Sequence, residues 1–287
     1  MRAVFAIVVS GFALAGCGGP APEAPPAEPA ASVQPDAPPT FVLIRQAPTP
    51  DRIELQALGG GMLFEKDGCL RIGTAENSRL VLWPQDAERR PDGVFDPLTG
   101  ATVRIGEPIV IGGGEIDGIR ADGLADPIPA ACEGPYWLGA SRFFPAPKED
   151  WQAVRIAEKF SIKAPAEMRP AAMPASLPAT LSSGSLQLSI TEGRDVCDGP
   201  IADPQNQHWE FQVYSDQRMA HVVRQKSGAG AETINAVFRG IDGPRGVTPP
   251  RGEVCLRIAA QCATGRDCDQ ARSMLSTIRF GDLGKPD

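Results

Sequence analysis

Six cysteines, Cys69, Cys132, Cys197, Cys255, Cys262 and Cys268, constrain this 287-residue chain more than any other feature. They lie downstream of Met1-Arg2 and the apolar run Ala3–Ala15. That leader has the form of an export signal and is too short to span a bilayer, which takes ~20 apolar residues. An even number of cysteines in an exported chain points to disulfides. Cys69 and Cys132 stand alone in the first half and are expected to pair. Cys262 and Cys268 flank a short loop, which leaves Cys197 for Cys255. Strand alternation agrees, because Val254, Leu256, Ile258 and Ala260 share a face with Cys262, whereas Cys255 points the other way with Arg257. Closing the long Cys69–Cys132 loop stabilises by ~4 kcal/mol on the chain-entropy model. No C-x-x-C occurs and the spacings do not match a paired zinc knuckle, so no cofactor is expected.

The tetrapeptide Leu14-Ala15-Gly16-Cys17, followed by Gly18-Gly19-Pro20, resembles the lipobox of bacterial lipoproteins. The resemblance implies removal of residues 1–16, a diacylglycerol on the Cys17 thiol and an acylated Cys17 amine. Two or three acyl chains anchor stably, because each buried CH₂ contributes ~0.8 kcal/mol and one chain alone is marginal. In Gram-negative lipoproteins an Asp directly after the cysteine commonly retains the protein in the inner membrane. Gly18 stands there instead, which implies the outer membrane, facing the periplasm. The partners so implied are the lipid bilayer, through acylated Cys17, and an envelope protein, peptidoglycan or a small ligand.

Residues 17–40 are mostly Pro, Ala and Gly, cannot bury enough apolar surface to offset their ordering entropy, and suggest a disordered tether. Residues 41–162 suggest a disulfide-stapled β domain of short strands between Gly/Pro turns, a small antiparallel barrel or sandwich. The triple glycine at 59–61 is taken as a break after the alternating Ile53–Leu58. The run GCLRIG…RLVLWP…DPLTGATVRIGEPIVIGGG…CEGPYWLG also resembles an uncharacterised β-rich module of secreted and lipid-anchored bacterial proteins, and that resemblance implies no catalytic residue. Residues 163–183, with Pro165, Pro170, Pro174 and Pro178 among alanines, are expected to form a linker. Residues 184–287 suggest an α+β domain: an antiparallel sheet with one C-terminal helix carrying Cys268, Ala271, Leu275 and Ile278, with Asp267 as N-cap and Gln270 as its N3 partner. The expected fold class is mainly β.

A net charge of −7 argues against nucleic acid, which needs clustered Lys and Arg to neutralise phosphates. Histidine chemistry must draw on His208 and His221. A hairpin turning at Ser215–Arg218 sets His221 opposite Gln212 and holds the histidines ~13 Å apart, too far to share a metal. Asp117, Asp122 and Asp126 are the best calcium candidates, although they lack the alternating ligand spacing of a compact loop. Gly228-Ala229-Gly230 suggests a hairpin loop rather than an anion cradle. Of Trp83, Trp137, Trp151 and Trp209, most are assigned to the cores rather than to an exposed ligand surface. The expected function is a membrane-anchored, non-enzymatic binding protein of the envelope. A carboxylate-dependent hydrolase and an accessory subunit of an envelope complex are the alternatives.

Overall fold

The computed structural model describes residues 41–48, 57–157, 159–170, 177–242 and 253–281. The leader, Cys17 and the tether of residues 17–40 lie outside them. The described first half holds β1 (Ala57–Lys66), β2 (Cys69–Gly73), β3 (Ser78–Leu82), β4 (Glu88–Arg90), β5 (Gly93–Asp96), β6 (Ala101–Arg104), β7 (Pro108–Ile116) and β8 (Tyr136–Pro145). The second holds β9 (Gln152–Ile156), β10 (Phe160–Ala164), β11 (Arg169–Pro170), β12 (Ala179–Ser183), β13 (Leu186–Gly193), β14 (Gln207–Ser215), β15 (Arg218–Lys226), β16 (Glu232–Phe238), β17 (Cys255–Cys262), α1 (Gly265–Leu275) and β18 (Arg279–Phe280). The fold is mainly β with one C-terminal helix, as the strand pattern suggests.

β1, β2, β3, β8 and β7 close into a barrel in that order. Every pair is antiparallel except β3 with β8. This order and these directions are those of the OB-type five-stranded barrel. The hairpin sheet β4-β5-β6 is inserted between β3 and β7. Inside the barrel pack Leu63, Leu70, Ile72, Val81, Trp83, Ile109, Ile111, Trp137 and Phe143. The triple glycine at 59–61 does not break a strand; it lies within β1, opposite residues 109–111 of β7. Its reason is steric: a Cβ on Gly59 would lie 2.5 Å from the Trp137 indole. Gly59 lets a tryptophan fill the barrel, and Gly61 lets β1 pass close to Gly73.

The second half is a seven-stranded sheet ordered β11-β12-β13-β17-β16-β15-β14, beside a three-stranded sheet β18-β10-β9. Asp216 and Gln217 both have φ near +50 to +60°, which makes the β14–β15 turn type I′ and sets His221 opposite Gln212. One face of the large sheet packs with α1 and the β9–β10 hairpin into a single core containing Trp151, Phe160, Leu188, Phe211, Ile234, Phe238, Ile258, Ala271 and Leu275.

Three further expectations are corrected. Residues 163–183 do not form a plain linker, since β12 pairs with β13 and buries Ala179 and Leu181. Pro178 directly precedes β12 and Pro170 lies in edge strand β11, positions where a missing N–H costs no ladder bond. Residues 151–162, placed with the first domain, contribute Trp151, Ile156, Phe160 and Ile162 to the core of the second sheet. Their alternation gave no hint of which sheet they would cover. Finally, α1 begins earlier than expected, with Thr264 as N-cap and Asp267 at N3. Thr264 Oγ1 accepts from Asp267 N while Asp267 Oδ2 accepts from Thr264 N, a reciprocal capping box that satisfies two donors at once.

The described residues form one compact unit. Helix α1 packs on β16 and β17 and also on β6 and β8 of the barrel half.

Candidate functional site

The outer face of β2 and β3 is where barrels of this topology commonly take ligands. Here the chain covers it. Residues 117–135, between β7 and β8, cross that face, and Cys69–Cys132 ties them down. Beneath lie Ile44, Leu80 and Leu82, joined by Ile116, Ile119, Leu124, Ile128 and Leu138. Arg71, on the outer face of β2, donates to the carbonyl of Glu133 at 2.8 Å. Arg45 grips Asp126 in a fork, with Nε to Oδ2 at 2.8 Å and Nη2 to Oδ1 at 3.0 Å. That bidentate bond holds the Asp126 carboxyl below its usual range.

The three aspartates proposed for calcium therefore do not converge. Asp126 is committed to Arg45, Asp122 pairs with Arg120 at 3.1 Å, and Asp117 is exposed. Among the described residues one group of three potential ligands lies within 4.8 Å, namely Cys197, Glu253 and Cys255. Its two sulfurs are bonded to each other. The cysteines are joined as Cys69–Cys132, Cys197–Cys255 and Cys262–Cys268, the pairs that the partition of the sequence selects.

A concave surface follows the seam between the barrel and the second sheet. A cavity of about 310 Å³ is lined by Arg104, Glu107, Trp151, Glu167, Arg266 and Asp269, among others. A wider groove of about 700 Å³, floored by Gly60, Gly61 and Gly73 and bordered by Met62, Asn77 and Arg79, adjoins it through Pro108, Lys148 and Asp150. Such a trough is a default place for a ligand.

Its deep wall is an ion network. Arg224 donates to Glu232 Oε2 at 2.6 and 2.9 Å and to Asp269 Oδ1 at 2.7 Å, with all three side chains buried. Asp269 Oδ2 accepts from Thr102 N at 3.4 Å and lies 3.5 Å from Arg104. Burial pushes the Asp269 carboxyl up, and the two guanidiniums oppose that push. Both its oxygens are occupied, so it fastens β6 to α1 rather than standing ready to move a proton. Glu107 is similarly held by Arg266 at 2.6 Å. Deeper still, the Arg272 guanidinium lies 4.0 Å from the Phe144 ring centre and 4.6 Å from that of Phe211. Complete burial brings its pKa down to about 9, against the pull of Asp96 and Asp269. One cation thus rivets β8 to β14.

His208 and His221 lie on the exposed face of the β14–β15 hairpin, and His221 Nε2 is 3.5 Å from Glu210. Trp83, Trp137 and Trp151 are buried, and Trp209 is half-buried beside Arg224. Gly228-Ala229-Gly230 forms the β15–β16 turn, where Gly230 takes a positive φ. Sequence reasoning missed the ion network, because its members come from β6, β15, β16 and α1. A trace was present: Arg224 follows Ala220 and Val222 on the inward face of β15, and Asp269 and Arg272 flank Ala271 within the helix. Charges on a buried stripe need partners. Neither family models nor curated proteins nor solved structures give a match to this chain.

Proposed function

We propose that the chain is a membrane-anchored lipoprotein of the cell envelope, held through acylated Cys17 at the periplasmic side of the outer membrane, and that it acts by binding rather than by catalysis. The observation that carries this reading is Leu14-Ala15-Gly16-Cys17 directly after a short apolar leader, with Gly18 following. Two features support it. Three disulfides suit an oxidising compartment. The carboxylates Glu107 and Asp269 at the seam are consumed by arginines, whereas Lys148, Asp150 and Glu167 border the trough without ion pairs among the described residues, free to meet a ligand.

The test is metabolic labelling with a palmitate analogue followed by membrane fractionation. Wild type is expected in the outer-membrane fraction with label, and Cys17→Ser in the soluble periplasmic fraction without it. A soluble, unlabelled wild-type protein overturns the proposal. Label retained by Cys17→Ser places the lipid elsewhere and overturns the anchor site.

A further inference from the structure

We infer that the groove beside β1 is a binding site for an extended peptide with a basic side chain, taken up by pairing with an open edge of β1. The hairpin turn at Asp67 and Gly68 closes on Lys66 and Cys69, so Lys66, Phe64 and Met62 turn their main-chain N–H and C=O groups toward β2. Leu63 turns the other way, its N–H donating to the Glu107 carbonyl at 2.9 Å, and Gly61, Gly59 and Ala57 continue that ladder along β7. Gly60 and Leu58 therefore face the β2 side. There β2 has already ended at Gly73, and the chain turns away, with Thr74 N donating to the Asn77 carbonyl. Among the described residues nothing bonds the main chain of Gly60 or Leu58 from that side. Their N–H and C=O groups stand open at the spacing of a strand.

Gly60 also lines the groove of about 700 Å³, together with Thr74, Asn77, Lys148, Glu149 and Asp150. A Cβ on Gly59 would strike Trp137 inside the barrel, so Gly60, its neighbour, presents its bare α-carbon outward. A peptide residue paired with Gly60 sets its side chain on that same outer face, and Gly60 contributes nothing to obstruct it. Beyond Pro108 the groove opens into the cavity of about 310 Å³ that holds Trp151 and Glu167. The charges decide what that side chain is. Arg104 and Arg266 are matched by Glu107 and Asp269. Of the remaining charges, Glu149, Asp150 and Glu167 outnumber Lys148, and none of these four has an ion pair among the described residues. Pro108, Pro145, Ala146 and Trp151 offer walls for an alkyl stem. Lysine and arginine have both the stem and the charge.

The occupant is a polypeptide because a main chain repeats a donor and an acceptor on every second residue along one edge, which is what Gly60 and Leu58 match. The place it takes is the one that β2 vacates after Gly73. The prolines among residues 17–40 lack the N–H that this pairing uses, so the peptide comes from a partner rather than from that segment. The assignment rests on the reading of the chain as a binding protein and names the ligand class of its trough.

The experiment is fluorescence anisotropy of a labelled, capped heptapeptide of alternating threonine and valine with a central lysine, titrated with the detergent-solubilised full chain. Saturable binding is expected. N-methylation of the lysine amide, which blocks the bond to Gly60, should weaken it by about tenfold or more, and methylation of the next amide, which points away, by less than about twofold. Replacing the lysine by glutamate should weaken binding by about tenfold. Glu149→Gln with Asp150→Asn should weaken it by about fivefold with an unchanged melting temperature, while Asp122→Asn with Glu210→Gln, elsewhere on the surface, should bind as wild type. Absence of binding, or binding indifferent to methylation of the lysine amide or to the glutamate replacement, overturns the inference. Absence of peptide binding together with self-association of the chain in light scattering assigns the edge to a second copy and also overturns it. Because no step uses Cys17, failure here is separable from failure of the palmitate test.

Discussion

The two halves of the molecule cover an exposed sheet face with the same device and underpin it differently. In each, a long loop crosses the outer side of the sheet and a disulfide pins it, Cys69–Cys132 over the barrel and Cys197–Cys255 over the large sheet. The barrel loop also has a core of its own in Leu80, Leu82, Ile119, Leu124 and Ile128, together with the Arg45–Asp126 fork. The sheet loop rests on carbonyls held by Arg239 and Arg257 and leaves Ile201 almost wholly in water. A crosslink and a packed floor are separable sources of order. One restricts the unfolded chain, and the other makes the folded loop cooperative with its domain.

The largest expected effect removes the crosslinks. Loop separations of 63 and 58 residues are close, so Cys69→Ser/Cys132→Ser and Cys197→Ser/Cys255→Ser should each lower stability by about 4 kcal/mol in urea titrations. Limited proteolysis under native conditions should separate them. The second pair opens residues 194–206 to cleavage, while residues 117–135 stay protected in the first. Equal cutting would erase the distinction between the two covers.

Next come the floors. Leu82→Ala empties a fully buried site beneath the barrel loop and should cost about 3 kcal/mol, whereas Ile201→Ala in the sheet loop, almost wholly in water, should cost less than about 0.5 kcal/mol. Equal losses in chemical denaturation would mean that both loops rest on comparable packing.

The smallest effect is electrostatic. The Asp126 carboxyl is held below its usual range by Arg45, so the pair contributes above the unfolded-state value near ~3.9, and its contribution is lost as pH falls through the folded value. Both side chains are partly exposed, which limits the contribution to about 0.5 kcal/mol. Asp126→Asn should therefore be slightly less stable than wild type at pH 6, and the difference should fade as pH falls through the depressed folded value. A difference that persists in acid would assign the loop's hold to packing alone.

Much of the fold was legible because it rests on local periodicity. Alternation along Trp209–Ser215 and Met219–Arg224, with turn residues between them, specified the β14–β15 hairpin and its register. The cysteine partition selected the same pairs the structure joins. Other features were hidden by long-range partners. The glycines at 59–61 looked like a break because Trp137, whose ring requires the missing Cβ of Gly59, lies 78 residues after it in sequence. The strand β12 was obscured by prolines that are tolerated only because they fall at a sheet edge and a strand start. Arg224, Glu232, Asp269 and Arg104 form a network that no spacing announces, since four separate elements supply it.

The sequence by itself determined most of the strands, the β14–β15 hairpin and the presence of the C-terminal helix, because these depend on side-chain alternation and turn chemistry over short range, and it selected the cysteine pairing by partition. Only the tertiary structure decided that the barrel's β2–β3 face is closed by its own loop, that the arginines and carboxylates at the seam are fasteners, and that β1 outruns β2 beside the groove. Each of those outcomes depends on which distant strands become neighbours. That choice is made by packing two hydrophobic faces together, and no local pattern encodes it.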